Sequence, residues 1–147
     1  MSRIASSKMI EIPPVRRYKK GDRLYVQAQQ IWLVLVAFVS GPTRKASDDK
    51  TMTYGELAER MGYADRRAGH MLSRQLGIIG EFCRLNDLPT LNSVVVNQTT
   101  GFPGEDVVLR DGRTVKQEQR DVMRQDWLQL GVPTTGTFRK VWESLNE

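Results

Sequence analysis

The chain has 147 residues, 39% of them hydrophobic and 27% charged, with 12 Gly and 6 Pro, the composition of one folded domain and not of a disordered, collagen-like or coiled-coil chain. Cys83 and His70 are its single cysteine and single histidine, which excludes an intramolecular disulfide, a thiolate zinc cluster, a CxxC redox pair and a two-histidine zinc site. With 22 Lys and Arg against 17 Asp and Glu, the net charge is +5 and the isoelectric point near 9.6, which puts nucleic acid first among the expected partners.

The positive charge is concentrated at the N-terminus. Residues 1–25 carry seven basic side chains (Arg3, Lys8, Arg16, Arg17, Lys19, Lys20 and Arg23) against Glu11 and Asp22, so the remainder, with 15 of each sign, is neutral. Interrupted by Pro13-Pro14 and ending at Gly21-Asp22, residues 1–23 read as a flexible basic arm. Arg16, Arg17, Lys19 and Lys20 would lie along phosphates. The same arm also reads as a solvated tail that aids solubility. Residues 24–147 are left as one winged-helix-like domain. The longest apolar run, Ile31 to Val39, has nine residues, short of the roughly 20 that span a bilayer, and the first residues lack an apolar signal core. The expectation is a cytoplasmic protein without membrane contact, associated with the nucleoid where it binds DNA.

In chain order, residues 24–38 are apolar nearly all round. Val34 and Val36 suit a strand, but the length favours a buried helix, stopped at Ser40-Gly41-Pro42. Thr53 followed three residues on by Glu56 is a capping box. It opens a short helix at Tyr54, with Leu57, Ala58 and Met61 inside and Gly62 at its end. Asp65 is the expected cap of a second helix whose Ala68, Met71, Leu72, Leu76 and Ile79 recur at helical spacing and face inward. Arg66, Arg67, His70, Ser73 and Arg74 are then left outside. Two helices joined by a tight turn, the second with an arginine-rich outer face, form the pattern of a helix-turn-helix; an ordinary solvated helix face has the same composition.

A further short helix is expected over 78–86, broken by Asn86-Asp87-Leu88-Pro89. The β-branched run 91–97 and Val107-Val108-Leu109 read as the strands of a hairpin, hence a wing, with Asp111-Gly112 as a turn after it. Thr114 and Gln117 make a second capping box, opening a helix to Leu130 with Val115, Val122, Met123, Trp127 and Leu130 inside. Phe138, Val141, Trp142 and Leu145 mark a last amphipathic segment. The fold class expected is therefore α+β: a mostly helical, winged helix-turn-helix-like single domain with a small β-hairpin.

The order of these elements, with Thr53-Tyr54-Gly55-Glu56-Leu57-Ala58, Gly62-Tyr63, Arg66-Arg67-Ala68-Gly69 and the run from Leu91 to Asn97, resembles the DNA-binding part of the O6-alkylguanine-DNA alkyltransferases and their alkyltransferase-like relatives over residues 24–97. The resemblance implies that Tyr54 helps turn a target nucleotide and that Arg66 fills the stack behind it. Tyr54 also reads as a first-turn aromatic packing on helix 24–38. The family's Pro-Cys-His-Arg motif is missing: no Cys or His lies between Thr90 and Val96, and Leu91 or Asn92 stands in the nucleophile's place. Cys83, on an apolar helix face without a neighbouring His, reads as a buried inert thiol. The acids Glu105, Asp106, Asp111 and Glu118 read as solvated turn residues and not as a magnesium site.

The functional expectation is a non-enzymatic duplex DNA-binding protein without cofactor or metal. Its contacts would come from Tyr54, Arg66, Arg67, His70, Ser73, Arg74 and the arm, with base sensing or flipping implied by the family resemblance. The rival reading is a protein-binding adaptor or inhibitor, such as a mobile-element product acting on a host complex, that uses the same fold and basic face.

Overall fold

Helix α1 runs over Arg23–Ser40 and forms the spine of the molecule, because the apolar run identified above closes into a helix with Ala28, Ile31, Trp32, Leu35, Val36 and Val39 buried. The computed structural model describes residues 11–15, 17, 23–42, 50–104 and 107–146. Arg16, Lys19 and Lys20 lie outside the described residues, as do Glu105 and Asp106; Arg17 is exposed. No helix is long and apolar enough to cross a membrane among the described residues.

At the end of α1 the last carbonyls need donors. Lys50 supplies them, its Nζ donating to the oxygens of Gly41 at 2.6 Å and Phe38 at 3.2 Å. The chain then makes strand β1, Met52–Thr53, and enters helix α2, Tyr54–Arg60, through the expected capping box. The Glu56 amide donates to Thr53 Oγ1 at 3.1 Å, and the Thr53 amide donates to Glu56 Oε1 at 3.3 Å. Gly62 follows with φ +92°, a left-handed conformation that ends α2 and that a side chain would resist.

Asp65 caps the next element as expected, accepting from the Arg67 amide at 2.9 Å, but that element differs from the expected α-helix. Arg66–Leu72 is a 3-10 helix, and α-helical geometry begins only at Ser73, giving α3 over Ser73–Leu85. The separate helix expected over 78–86 is the second half of α3. At three residues per turn, residues i and i+3 eclipse. Gly69 and Leu72 therefore share the buried side, while Met71, expected inside at α-helical spacing, is turned out and 71% exposed. Gly69 is where the packing is tightest: a Cβ there would lie 2.3 Å from the Tyr54 carbonyl oxygen, so the 3-10 turn rests directly on the backbone of α2.

The expected hairpin is replaced by something else. Residues Leu91–Val94 form a buried 3-10 turn, strand β2 is only Val95–Val96, and it pairs in parallel with β1, Met52 against Val95 and Thr53 against Val96. Residues 107–109 are not a strand. The β-branched composition suits a strand here, but its partner is a strand far earlier in the chain. The fold is thus α+β and mostly helical, with a two-stranded parallel sheet.

Helix α4, Val115–Arg124, begins with the second capping box but ends six residues before Leu130. A 3-10 turn, Trp127–Gln129, follows, and then α5, Thr135–Leu145. Trp32 is the hub of an aromatic cluster, with ring centroids 5.4 Å from Phe82, 5.6 Å from Trp127 and 6.4 Å from Phe138. It joins α1, α3, α5 and the turn after α4. Trp127 keeps its indole N–H satisfied on the Val122 carbonyl at 2.8 Å.

Glu118 overturns one expectation. It is fully buried in α4, not solvated, and its carboxylate accepts from the Thr90 amide (3.0 Å) and hydroxyl (2.7 Å) and from Arg110 Nε (2.9 Å) and Nη2 (2.6 Å). Arg110 and Arg113 also pair with Asp121. Burial opposes its charge, but the bonds from Arg110 and Thr90 outweigh that and hold the carboxyl below its ordinary range.

Candidate nucleic-acid interface

The 3-10 turn and the start of α3 carry the side chains singled out in the sequence, and their placement follows from the period-three register. With Gly69 and Leu72 facing α2 and the core, Arg67, His70 and Ser73 stack on the outer row and Met71 and Arg74 on its flank. All of these five are exposed. Four of the five side chains expected on the outer face, Arg67, His70, Ser73 and Arg74, are on it, and Met71 is added to it.

Arg66 lies back over α2. Its Nε is 3.0 Å from Glu59 Oε1, and its side chain covers Gly55, where a Cβ would meet Arg66 Nε at 3.0 Å. Arg67 forks Asp65, with Nε 3.1 Å from Oδ1 and Nη2 2.8 Å from Oδ2. This side-chain pairing is what draws the Asp65 carboxyl below its usual range, aided by the Arg67 amide. Such exposed pairs are weak and screened by salt, so a phosphate oxygen can replace the carboxylate at little cost. His70 and Arg74 enter no ion pair among the described residues.

Two recesses open on this surface, one on either side of His70. The first, about 280 Å³, is lined by Thr53, Tyr54, Gly55, Arg66, Arg67 and His70 together with Asn97, Gln98 and Thr99 of the loop after β2. The parallel pairing of β1 with β2 is what brings that loop beside the N-terminus of α2. Tyr54 is half-buried, packs against the core, and its hydroxyl accepts from the Gly104 amide at 2.8 Å. It thereby ties down the far end of the same loop.

The second recess, about 430 Å³, is lined by Arg23, Leu24 and Gln27 of α1 and by His70, Met71, Ser73, Arg74 and Gln75. A polar relay forms its α1 side: Gln75 Nε2 donates to Gln27 Oε1 at 2.7 Å, and Gln27 Nε2 donates to the Tyr63 hydroxyl at 2.7 Å. Arg23 Nη2 is 3.4 Å from the same hydroxyl. This fixes the first turn of α1 against the start of α3.

Arg66, Arg67, His70, Ser73, Arg74 and Tyr54 are thus brought together, whereas of the four expected arm contacts Arg16, Lys19 and Lys20 lie outside the described residues and Arg17 is exposed. Sequence reasoning did not find Asn97, Gln98, Thr99 or Gln27, which come from elements distant in the chain, or Gln75, which follows Arg74 but is buried. Arg23 was visible only as one more charge of the basic N-terminal region. Elsewhere Cys83 is buried, and burial pushes its thiol up to about 12; Asn92 is buried. Among the described residues no group of His, Cys, Asp and Glu is placed to hold a metal ion. Comparison of the chain with family models, curated proteins and solved structures gave no match.

Proposed function

We propose that the chain is a duplex DNA-binding protein that performs no chemistry and uses the 3-10 turn and the start of α3 as its recognition element, in the manner of a helix-turn-helix. The observation that carries the reading is the cationic surface around His70: Arg66 and Arg67 edge one recess and Arg23 and Arg74 the other. Its carboxylates, Glu59 and Asp65, are exposed and exchangeable. Phosphate contacts of this kind supply most of the affinity for duplex DNA. The motif resemblance to the alkyltransferase-like proteins agrees with it and adds Tyr54 beside the first recess and Arg66 as an intercalating side chain. The lack of Cys and His in the run 91–97 separates this chain from the alkyl-transferring members.

Titration of the protein with random-sequence duplex at low and moderate salt tests the reading. Binding weakens steeply with salt if the cations meet phosphates, with a log-log slope of about 0.9 per contact. Arg74→Ala lowers affinity for all duplexes alike and reduces the slope by about one such contact. Arg66→Ala costs about 1–3 kcal/mol and flattens preference among sequences or between intact and damaged bases. If both variants melt like the parent and bind every duplex as tightly, the surface is not a DNA-recognition element and a protein partner with an acidic face becomes the better assignment.

A further inference from the structure

Met71 is a long apolar side chain held out in solvent, 71% exposed, on a recess that it shares with Leu24 and with the cations Arg23 and Arg74. Its sequence neighbours explain the position but not the residue type. The 3-10 register that turns Met71 outward is fixed, because Gly69 rests on the Tyr54 backbone, where a Cβ would approach to 2.3 Å, and Leu72 is fully buried. Met71 therefore cannot swing in without breaking that packing, so its side chain stays open to a bound partner. It stands between His70 and Arg74 at the mouth of the recess that also holds Arg23. An unbranched, flexible apolar side chain with Arg23 and Arg74 beside it on a closely packed turn matches the wedge that proteins push between base pairs, partly unstacking a step and kinking the duplex while neighbouring cations hold the phosphates on either side.

We propose that Met71 is such a wedge: it enters between adjacent base pairs of a bound duplex, with Arg74 and Arg23 on the flanking phosphates, so that binding kinks the DNA. The inference rests on the DNA-binding reading and goes beyond it, because phosphate contacts alone need no apolar side chain and no kink. It also differs from an intercalating Arg66, which edges the recess on the other side of His70.

The test uses the full chain, a short duplex labelled at both ends for energy transfer, and the variants Met71→Ala, Met71→Leu and Arg74→Ala. The parent is expected to bind and to shorten the end-to-end distance. Met71→Ala should weaken binding by about tenfold, the scale of one lost buried apolar contact. Its salt slope should stay unchanged, since no charge is removed, and saturation should leave the duplex straight. Met71→Leu should keep the kink, and Arg74→Ala should lower the slope while still kinking the DNA at saturation. Because Met71 is exposed, Met71→Ala should melt like the parent. A parent that binds but leaves the duplex straight, or a Met71→Ala that kinks it as the parent does, overturns the wedge and leaves the DNA reading standing. A parent that binds no duplex at low salt overturns both.

Discussion

A methyl group at Gly69 would sit 2.3 Å from a backbone oxygen, and backbone cannot step aside as the end of a side chain can. Gly69→Ala must therefore separate the 3-10 turn from α2, and an overpacking cost of about 1–3 kcal/mol is expected in urea unfolding. Gly77, inside α3 with nothing within 4 Å of its would-be Cβ, is the control. There Gly→Ala removes only unfolded-chain freedom and should stabilise by about 0.5–1 kcal/mol. The same kind of local argument governs Cys83. Its thiol is pushed up to about 12 by burial, against a smaller opposing bond from the Leu91 backbone, with the Glu118 charge adding least. Thiolate is the reacting form, so almost none exists at neutral pH in the folded protein. Incubation with alkylguanine-containing DNA should leave the intact mass unchanged, and an alkyl adduct on Cys83 would overturn the proposal that the chain performs no chemistry.

Among the elements, α4 depends on one carboxylate. Glu118 receives the Thr90 amide and hydroxyl at one oxygen and Arg110 at the other, which clamps α4 to the segment between α3 and β2. Glu118→Gln leaves Arg110 without its full counter-charge in a partly enclosed site, and a loss of about 3 kcal/mol is expected at neutral pH. The sign of the pH dependence follows from the lowered carboxyl. Its contribution is complete above the unfolded value of 4.5 and disappears as the pH falls through the lower folded value, because the unfolded chain binds the proton first. Acid unfolding curves of parent and Glu118→Gln should converge below pH 4.5; a constant gap would mean that the clamp acts through shape and not charge. None of this was legible from the sequence, where Glu118 looked like one of four solvated acids. Features written within a few residues were legible: both capping boxes, the Asp65 cap, the Gly62 stop and the apolar spine of α1. Features that need a distant partner were not. The pairing of Met52 with Val95 cannot be read from either strand alone, so the run 91–97 was joined to its nearest apolar neighbour as a hairpin. The period of the Arg66–Leu72 turn is set by the approach of Gly69 to Tyr54, and a 3.6-residue spacing applied there put Met71 on the wrong side. Arg67, His70 and Ser73 survive that error because they stay outside at either period.

Over the whole molecule, net charge and useful charge are different quantities. Arg110 and Arg113 pair with Glu118 and Asp121, so they add to the count of basic residues without adding to a surface that an anion can approach. The cations around His70 are accessible, but beyond residue 25 the chain as a whole is neutral. Long-range attraction of a polyanion thus falls to the first 25 residues, whose seven basic side chains face two acids. Arg23, the last of the seven but one position from Leu24, already stands at the rim of the second recess, so the arm leads into the surface proposed to bind DNA. Where it is described, the arm takes no part in the core: Ile12 and Val15 are 81% and 89% exposed. Removing residues 1–20 deletes Arg3, Lys8, Arg16, Arg17, Lys19 and Lys20 while keeping Arg23 at the start of α1. The thermal midpoint should stay where it is. Duplex affinity should fall, and the log-log salt slope should drop by about 0.9 for each phosphate contact the arm had made. The kink assigned to Met71 should persist at saturation, since the wedge and its flanking Arg23 and Arg74 remain. A truncated chain with the parent's slope would make the arm a solubility tail and leave the surface around His70 to supply the affinity alone.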